Sequence, residues 1–323
     1  MARGHRRTYV TIALLVALVL AAAAAAACSA QATAGSSPLG ATGSSAATSG
    51  SPGTATGAKA ASTSDLSRVL AALAYMQANT STKPVVVLLG GSAARESTIS
   101  DKSWRSQIVD KGGPATLAWN MGSSVRTMAQ NVAIVEALPQ GAHAIVFVGI
   151  NLGAFTSPQK KASITLPSPA PTSVSLLQPH SYGVDTTGIL STAKKQAMLQ
   201  NWLTVRYPVF KRNFSNSAAV LETLIKTCQA RGYKPVLFEL PRNTQIIGSS
   251  LNAPTTKLRG KCKTLAAKYK IPWVSQVSAA KLPNQDFYDL WHLVEPGRKV
   301  WQNLLSAKTA ALLKQYGFDG GGT

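Results

Sequence analysis

Two distant segments of this chain carry residue types suited to nucleophilic chemistry. Near the C-terminus, Asp286-Phe287-Tyr288-Asp289-Leu290-Trp291-His292-Leu293 sets an aspartate three residues before one of only four histidines. Far upstream, Val85-Val86-Val87-Leu88-Leu89-Gly90-Gly91-Ser92 is an apolar run that ends in a serine behind two glycines. A serine hydroxyl is a weak nucleophile until an imidazole takes its proton. The imidazole works best when a carboxylate fixes its tautomer and stabilises its charged form. Ser92, His292 and Asp289 have the types for those three roles. Each piece also has a plainer reading, since a serine after a strand caps a helix and Asp-x-x-His starts one. Asp286, six residues before His292, is a rival for the orienting carboxylate.

Two further blocks lie between these ends. Ala118-Trp119-Asn120-Met121-Gly122-Ser123-Ser124 is a short apolar run turning at a glycine. Ala144-Ile145-Val146-Phe147-Val148-Gly149-Ile150-Asn151 is a second apolar run, ending in Gly-x-Asn. Alone, Gly122 is a plain turn glycine and Asn151 a strand-end cap. The order of the four blocks is Gly-x-Ser, Asn-x-Gly, Gly-x-Asn and Asp-x-x-His. In that order they resemble the SGNH hydrolase superfamily, also called GDSL-like esterases and lipases. The family's Ser, Gly, Asn and His match Ser92, Gly122, Asn151 and His292, and the resemblance spans most of residues 84 to 305.

The resemblance implies a nucleophile at Ser92, a general base at His292 and an orienting carboxylate at Asp289. It implies an oxyanion hole made of the Ser92 and Gly122 amides and the Asn151 side chain, where negative charge gathers in a tetrahedral intermediate. Two positions depart from the family pattern: Gly91 stands where an aspartate usually precedes the serine, and Leu152 where one often follows the asparagine. Neither missing aspartate belongs to the triad, so their loss does not require loss of the chemistry, and they point to a divergent branch. Cell-envelope relatives are similarly loose in these blocks, including the alginate and peptidoglycan O-acetyltransferase group and the D-alanyl transfer protein of teichoic acid modification; this is analogy of fold.

The elements that would position these residues alternate. Apolar runs at 85–89, 145–148, 235–240 and 271–274 read as strands, and helical patterns at 65–77, 125–138, 217–231, 257–269 and 298–316 lie between them. Such alternation predicts parallel strands joined by crossovers, hence a single α/β domain built as a three-layer α/β/α sandwich of SGNH or flavodoxin-like type. Sites in such sheets lie outside the carboxyl ends of the strands, where Ser92, Gly122 and Asn151 fall. Residues 152–211 break the rhythm with Pro158, Pro167, Pro169, Pro171 and Pro179, then a helical pattern over 190–203. An insertion directly after the Gly-x-Asn block is a candidate substrate lid, or a mobile surface loop. Trp202, Tyr207 and Phe210 in its second half are packing residues or the floor of a pocket. His143 reads as a strand-boundary residue and His180 as a residue of the insertion.

The N-terminal region speaks to location. Arg3, Arg6 and Arg7 precede an apolar, alanine-rich run, the pattern of a secretory signal peptide over residues 1–27. Cys28 follows Ala25-Ala26-Ala27 and resembles a lipoprotein box without its usual leucine, so lipidation at Cys28 is expected, with ordinary cleavage or an uncleaved anchor as the alternatives. Residues 28–63 are nearly all Ala, Gly, Ser, Thr and Pro, a composition that cannot offset its ordering entropy and reads as a disordered tether. The catalytic domain would then cover residues 64–323. The formal charge is +21, and losing the three leader arginines leaves +18, which favours acidic wall polysaccharides or anionic head groups. No nucleic-acid module, metal-ligand spacing or cofactor loop is present in the sequence, so neither nucleic acid, metal nor cofactor is expected. With Cys28 lipidated, Cys228 and Cys262 remain as an even pair, either a disulfide or two unpaired helix cysteines.

The expected protein is an exported, outward-facing membrane lipoprotein or secreted serine esterase or O-acyltransferase. Its partners would be an acyl ester substrate, a cell-wall polysaccharide or lipid, and the membrane through its N-terminal anchor. The rival from another class is a non-catalytic envelope binding protein that keeps the fold.

Overall fold

The structure is a computed structural model that describes residues 65–79, 81–182 and 188–318. The expected signal peptide, the Cys28 lipidation site and the tether lie outside the described residues. Among the described residues no helix is long and apolar enough to cross a membrane.

Five strands, β1 (Val85–Leu89), β2 (Leu117–Asn120), β3 (Ala144–Ile150), β4 (Lys234–Glu239) and β5 (Trp273–Ser275), form one sheet in the order β2-β1-β3-β4-β5. All four pairings are parallel. Parallel strands buried on both faces read as unbroken apolar runs, and every residue of β1 and β3 is buried. Side chains alternate between faces. Val85, Val87 and Leu89 join one core with Val146 and Val148, while Val86 and Leu88 join the other with Ile145 and Phe147.

The first face is covered by α1 (Asp65–Ala78), α4 (Met128–Glu136), α6 (Tyr207–Ala230) and α8 (Asn252–Tyr269), through residues such as Leu73, Ile134, Leu221 and Leu258. The second is covered by α3 (Asp101–Asp110) and α10 (Glu295–Gln315), through Trp104, Ile108, Trp301 and Leu305. Each buried Leu or Ile contributes about 1.5–3 kcal/mol relative to exposure, so these two layers are what hold the sheet edge rigid. The layers are those expected from the alternation.

The short elements at the carboxyl edge are α2 (Ser92–Arg95), α7 (Thr244–Ile247) and α9 (Val277–Ala280). The helix expected at 125–138 starts later, at Met128, because Thr127 caps it: its hydroxyl accepts from the Gln130 amide while the Gln130 side chain answers the Thr127 amide. Helix α3 has no strong apolar stripe, since only Asp101, Trp104 and Ile108 of its ten residues are buried.

The second half of the 152–211 segment forms α5 (Thr192–Asn201) and a π-helical turn (Trp202–Arg206) that runs straight into α6. Pro208 lies within this rod directly after the π-helical turn, at the start of α6. Cys228 of α6 and Cys262 of α8 are free thiols, both buried, and burial pushes each up to about 12. Of the two expectations for these cysteines, the unpaired one describes them.

Candidate active site

The loop after β1 explains the position of Ser92. Gly90 has a φ of 157°, and a Cβ there would come within 2.7 Å of the Ala94 Cβ, so the chain can turn this sharply only without a side chain. The turn delivers Ser92 as the first residue of α2. Its amide, one of the unpaired N–H groups of a helix start, has no hydrogen-bond partner among the described residues.

From the other end of the chain, Asp289 and His292 reach the same point. Ser92 Oγ lies 2.8 Å from His292 Nε2. His292 Nδ1 lies 2.7 Å from Asp289 Oδ2. The other carboxylate oxygen, Oδ1, accepts the Trp291 amide at 2.8 Å and the His292 amide at 2.9 Å. Burial raises the Asp289 carboxyl, but the His292 hydrogen bond and charge, helped by those two amides, outweigh it and hold Asp289 below the usual carboxylate range. An ionised Asp289 accepts the Nδ1 proton, which leaves Nε2 as the acceptor facing Ser92.

Asp286 takes no part in this chain. It lies in a short 3₁₀ turn, its backbone carbonyl accepts from Val294, and burial raises its carboxyl. His180 is bound between Glu96 Oε2 and the Ile99 carbonyl, both at 3.0 Å, and His143 packs its ring against Phe318. Neither reaches Ser92.

Asn151, at the end of β3, is fixed by its own local turn. Its Oδ1 accepts the Ala154 amide at 2.9 Å, which turns Nδ2 into the free end, and Nδ2 has no partner among the described residues. Asn151 and Ser92 line one cleft of about 320 Å³ together with His292, Trp291 and Trp202.

Gly122 must be corrected as an oxyanion donor. Its N–H already donates to Asn120 Oδ1 at 2.9 Å, and it does not line the cleft. Its lack of a side chain has a packing reason, because a Cβ would strike the Arg95 amide nitrogen. The residues of this loop that do reach the cleft are Val125 and Arg126. Val125 has a φ of 57°, is 93% exposed, and its amide has no partner among the described residues. A β-branched residue in that conformation is strained, and such strain is found where function fixes the backbone.

The insertion also reaches the site. Tyr182 stacks on Tyr288 at 4.1 Å and sits 4.8 Å from the His292 ring. Burial, then the Asp289 charge, pushes the Tyr182 hydroxyl up to about 12, so it is a neutral wall beside the imidazole. Trp202 enters from the π-helical turn, a device often seen at functional sites. Val125, Arg126 and Tyr182 carried no sequence signal for this role: a valine in a left-handed turn is indistinguishable from a strand or helix residue, and Tyr182 lies in a stretch without periodicity.

Among the described residues no cluster of histidine, cysteine, aspartate and glutamate is grouped to hold a metal ion.

No protein-family model matches the sequence. No curated protein matches it either. Among solved structures, the chain is similar to a candidate acylhydrolase from Bacteroides fragilis, with 14% identity and a TM-score of 0.39, over 75% of this chain and 95% of that one. It is similar to a protein from Lactobacillus plantarum, with 12% identity and a TM-score of 0.39, over 73% and 99%. It is also similar to AlinE4, an SGNH-hydrolase family esterase, with 16% identity and a TM-score of 0.34, over 73% and 98%.

Proposed function

We propose that this chain is a serine hydrolase of ester bonds, of SGNH type, working through an acyl-enzyme on Ser92. The observation that carries this reading is the unbroken hydrogen-bond chain from Ser92 Oγ through His292 to Asp289, opening onto a cleft beside an unpaired Asn151 amide. A binding protein has no need of such a chain.

In this reading His292 Nε2 removes the Ser92 proton as Oγ attacks the ester carbonyl. Asp289 stabilises the imidazolium that results and does not itself take the proton. The negative oxygen is met by the Ser92 amide, Asn151 Nδ2 and, in place of Gly122, the Val125 amide. Each such donor is worth about 2.7–4 kcal/mol in the transition state. Collapse of the intermediate returns the proton from His292 to the leaving alkoxide and leaves the acyl group on Ser92. A water or a sugar hydroxyl, deprotonated by His292 in turn, then removes it. Exclusion of water from the cleft decides between hydrolysis and transfer.

The finer reading is an exported enzyme acting on O-acyl groups of a cell-envelope glycan or lipid, tethered outside the membrane through residues 28–63. It is supported by the basic leader, the small residues before Cys28 and the net charge of +21.

Hydrolysis of para-nitrophenyl acetate, butyrate and octanoate by residues 64–323 tests the core proposal. Turnover that Ser92→Ala and His292→Ala both abolish is expected. A parent no faster than these variants would overturn the catalytic reading in favour of the binding protein.

A further inference from the structure

Beside Ser92 stands a buried arginine that forms no ion pair among the described residues. Arg126 lines the wall with Ser92, Asn151 and Trp202, and is 8% exposed. Its Nε donates to Ser123 Oγ at 2.8 Å. Nη1 and Nη2 are shielded from solvent and have no hydrogen-bond partner among the described residues. The carboxylate that attracts it, Asp65, is already bonded to Arg95 and to the Ser124 amide. Other buried arginines are treated differently: Arg68, Arg95 and Arg298 each hold a carboxylate. At the rim of the same cleft, the π-helical turn presents Arg206, exposed and with no ion pair among the described residues.

Burying a guanidinium with two empty nitrogens is unfavourable, because it gives up water and gains nothing in exchange. A ligand that occupies those donors during function would offset that cost. A planar or tetrahedral anion accepts two parallel N–H bonds from such a fork, which a point-charge lysine does not offer. Burial lowers Arg126 to about 10, so it stays protonated at neutral pH and available to an anion.

We propose that Arg126, assisted by Arg206 at the rim, is a specificity site for a carboxylate or phosphate group carried by the ester that Ser92 attacks. This rests on the serine esterase reading and narrows its substrates from esters in general to anionic ones. The surplus of positive charge on the chain would draw such substrates toward the cleft. Neutral esters would leave the guanidinium unpaired in the transition state, and that asymmetry is what discriminates.

Matched ester pairs test this. On the acyl side, monophenyl adipate is compared with phenyl hexanoate. On the alcohol side, 4-acetoxybenzoate and 4-acetoxyphenyl phosphate are each compared with 4-acetoxybenzamide, which also separates a carboxylate preference from a phosphate one. In the parent, at least one anionic ester should exceed its neutral partner by about tenfold or more in kcat/KM, chiefly through KM. Arg126→Gln should lower that ratio by about tenfold, Arg126→Lys should restore part of it, and Arg206→Gln should lower it a few fold. Using a ratio cancels any general loss of activity, and circular dichroism checks folding. If Arg126→Gln does not fold, the parent ratio with Arg126→Lys and Arg206→Gln decides. Parity across all pairs, or a preference that survives Arg126→Gln, overturns the proposal while leaving the esterase intact. If the parent hydrolyses no ester, the esterase reading falls separately. Calorimetric titration of Ser92→Ala with the same pairs then decides this proposal on binding alone: tighter anionic binding that Arg126→Gln removes upholds it, and equal binding overturns it.

Discussion

The two walls of the cleft are built on opposite plans. On the wall made by the 286–294 segment the Asp289 and His292 side chains are fully engaged: Asp289 uses both oxygens, its carbonyl accepts from Asn243, and His292 is bonded on both ring nitrogens. On the wall made by the 123–126 loop, Val125 is held in a left-handed conformation and the Arg126 guanidinium ends are empty. The difference matches the two proposed tasks. In the proposed mechanism the groups that transfer a proton are preorganised by the protein itself, whereas the groups proposed to meet the substrate are left without a protein partner.

The sharpest way to break the finished wall is at its carboxylate. Asp289→Asn keeps an oxygen for the Trp291 and His292 amides but presents N–H groups to Nδ1, which forces the wrong tautomer; kcat should fall by about 10⁴-fold. Asp286→Asn, by contrast, should stay within a few fold of the parent, since Asp286 touches none of the triad. Steady-state kinetics of the two variants side by side checks both.

Asn151→Ala tests the open donors. With Nδ2 lost, kcat should fall about 10²–10³-fold while KM changes little, because the donor matters mainly once the oxyanion has formed.

Behind Ser92, Glu96 is buried among Arg95, Arg298 and His180. Burial raises its carboxyl, but His180 and then Arg298 outweigh this and hold it below its ordinary value. A depressed native value means the unfolded chain binds the proton first as pH falls. The stabilisation is therefore complete above the unfolded value of about 4.3 and is lost on acidification below it. Glu96→Gln should cost about 3 kcal/mol at neutral pH, as breakage of a buried pair does, and flatten the acid limb of a melting-temperature profile. An unchanged acid limb would remove Glu96 as its cause.

The smallest effect is expected in the open wall. Val125→Gly relieves a left-handed β-branched residue and should leave stability within about 1 kcal/mol of the parent, the relief of strain being offset by greater freedom in the unfolded chain. Thermal melts check this, and a loss well above that amount would mean the valine side chain packs on something the loop needs.

Much of this fold was readable from residues alone. Strands β1 and β3 are buried on both faces, so their sequences are continuous apolar runs between helices, β4 keeps such a run over residues 235–238, and the layers follow. The meeting of Ser92, His292 and Asp289 was readable because these residues sit at short offsets from the end of β1 and the start of α10. Helix α3 was missed because only two apolar residues, Trp104 and Ile108, face the core, too few to stand out as a stripe. The extension of α6 back to Tyr207 was hidden by Pro208, a residue that usually kinks or breaks a helix. Gly122 misled for a related reason: sequence reports that a side chain is absent, and not whether the gap serves a ligand or, as here, the backbone of Arg95. Val125 and Arg126 were illegible because backbone strain and an unmet hydrogen bond are properties of three-dimensional surroundings.

The central claim is that Ser92 is a nucleophile activated by His292. The most direct test is intact-protein mass spectrometry after exposure to a fluorophosphonate, with peptide mapping of the adduct. One phosphonyl group on Ser92 in the parent, absent from Ser92→Ala and strongly slowed in His292→Ala, is the predicted result. A parent that stays unlabelled at Ser92 under conditions that label a known serine esterase would contradict the claim.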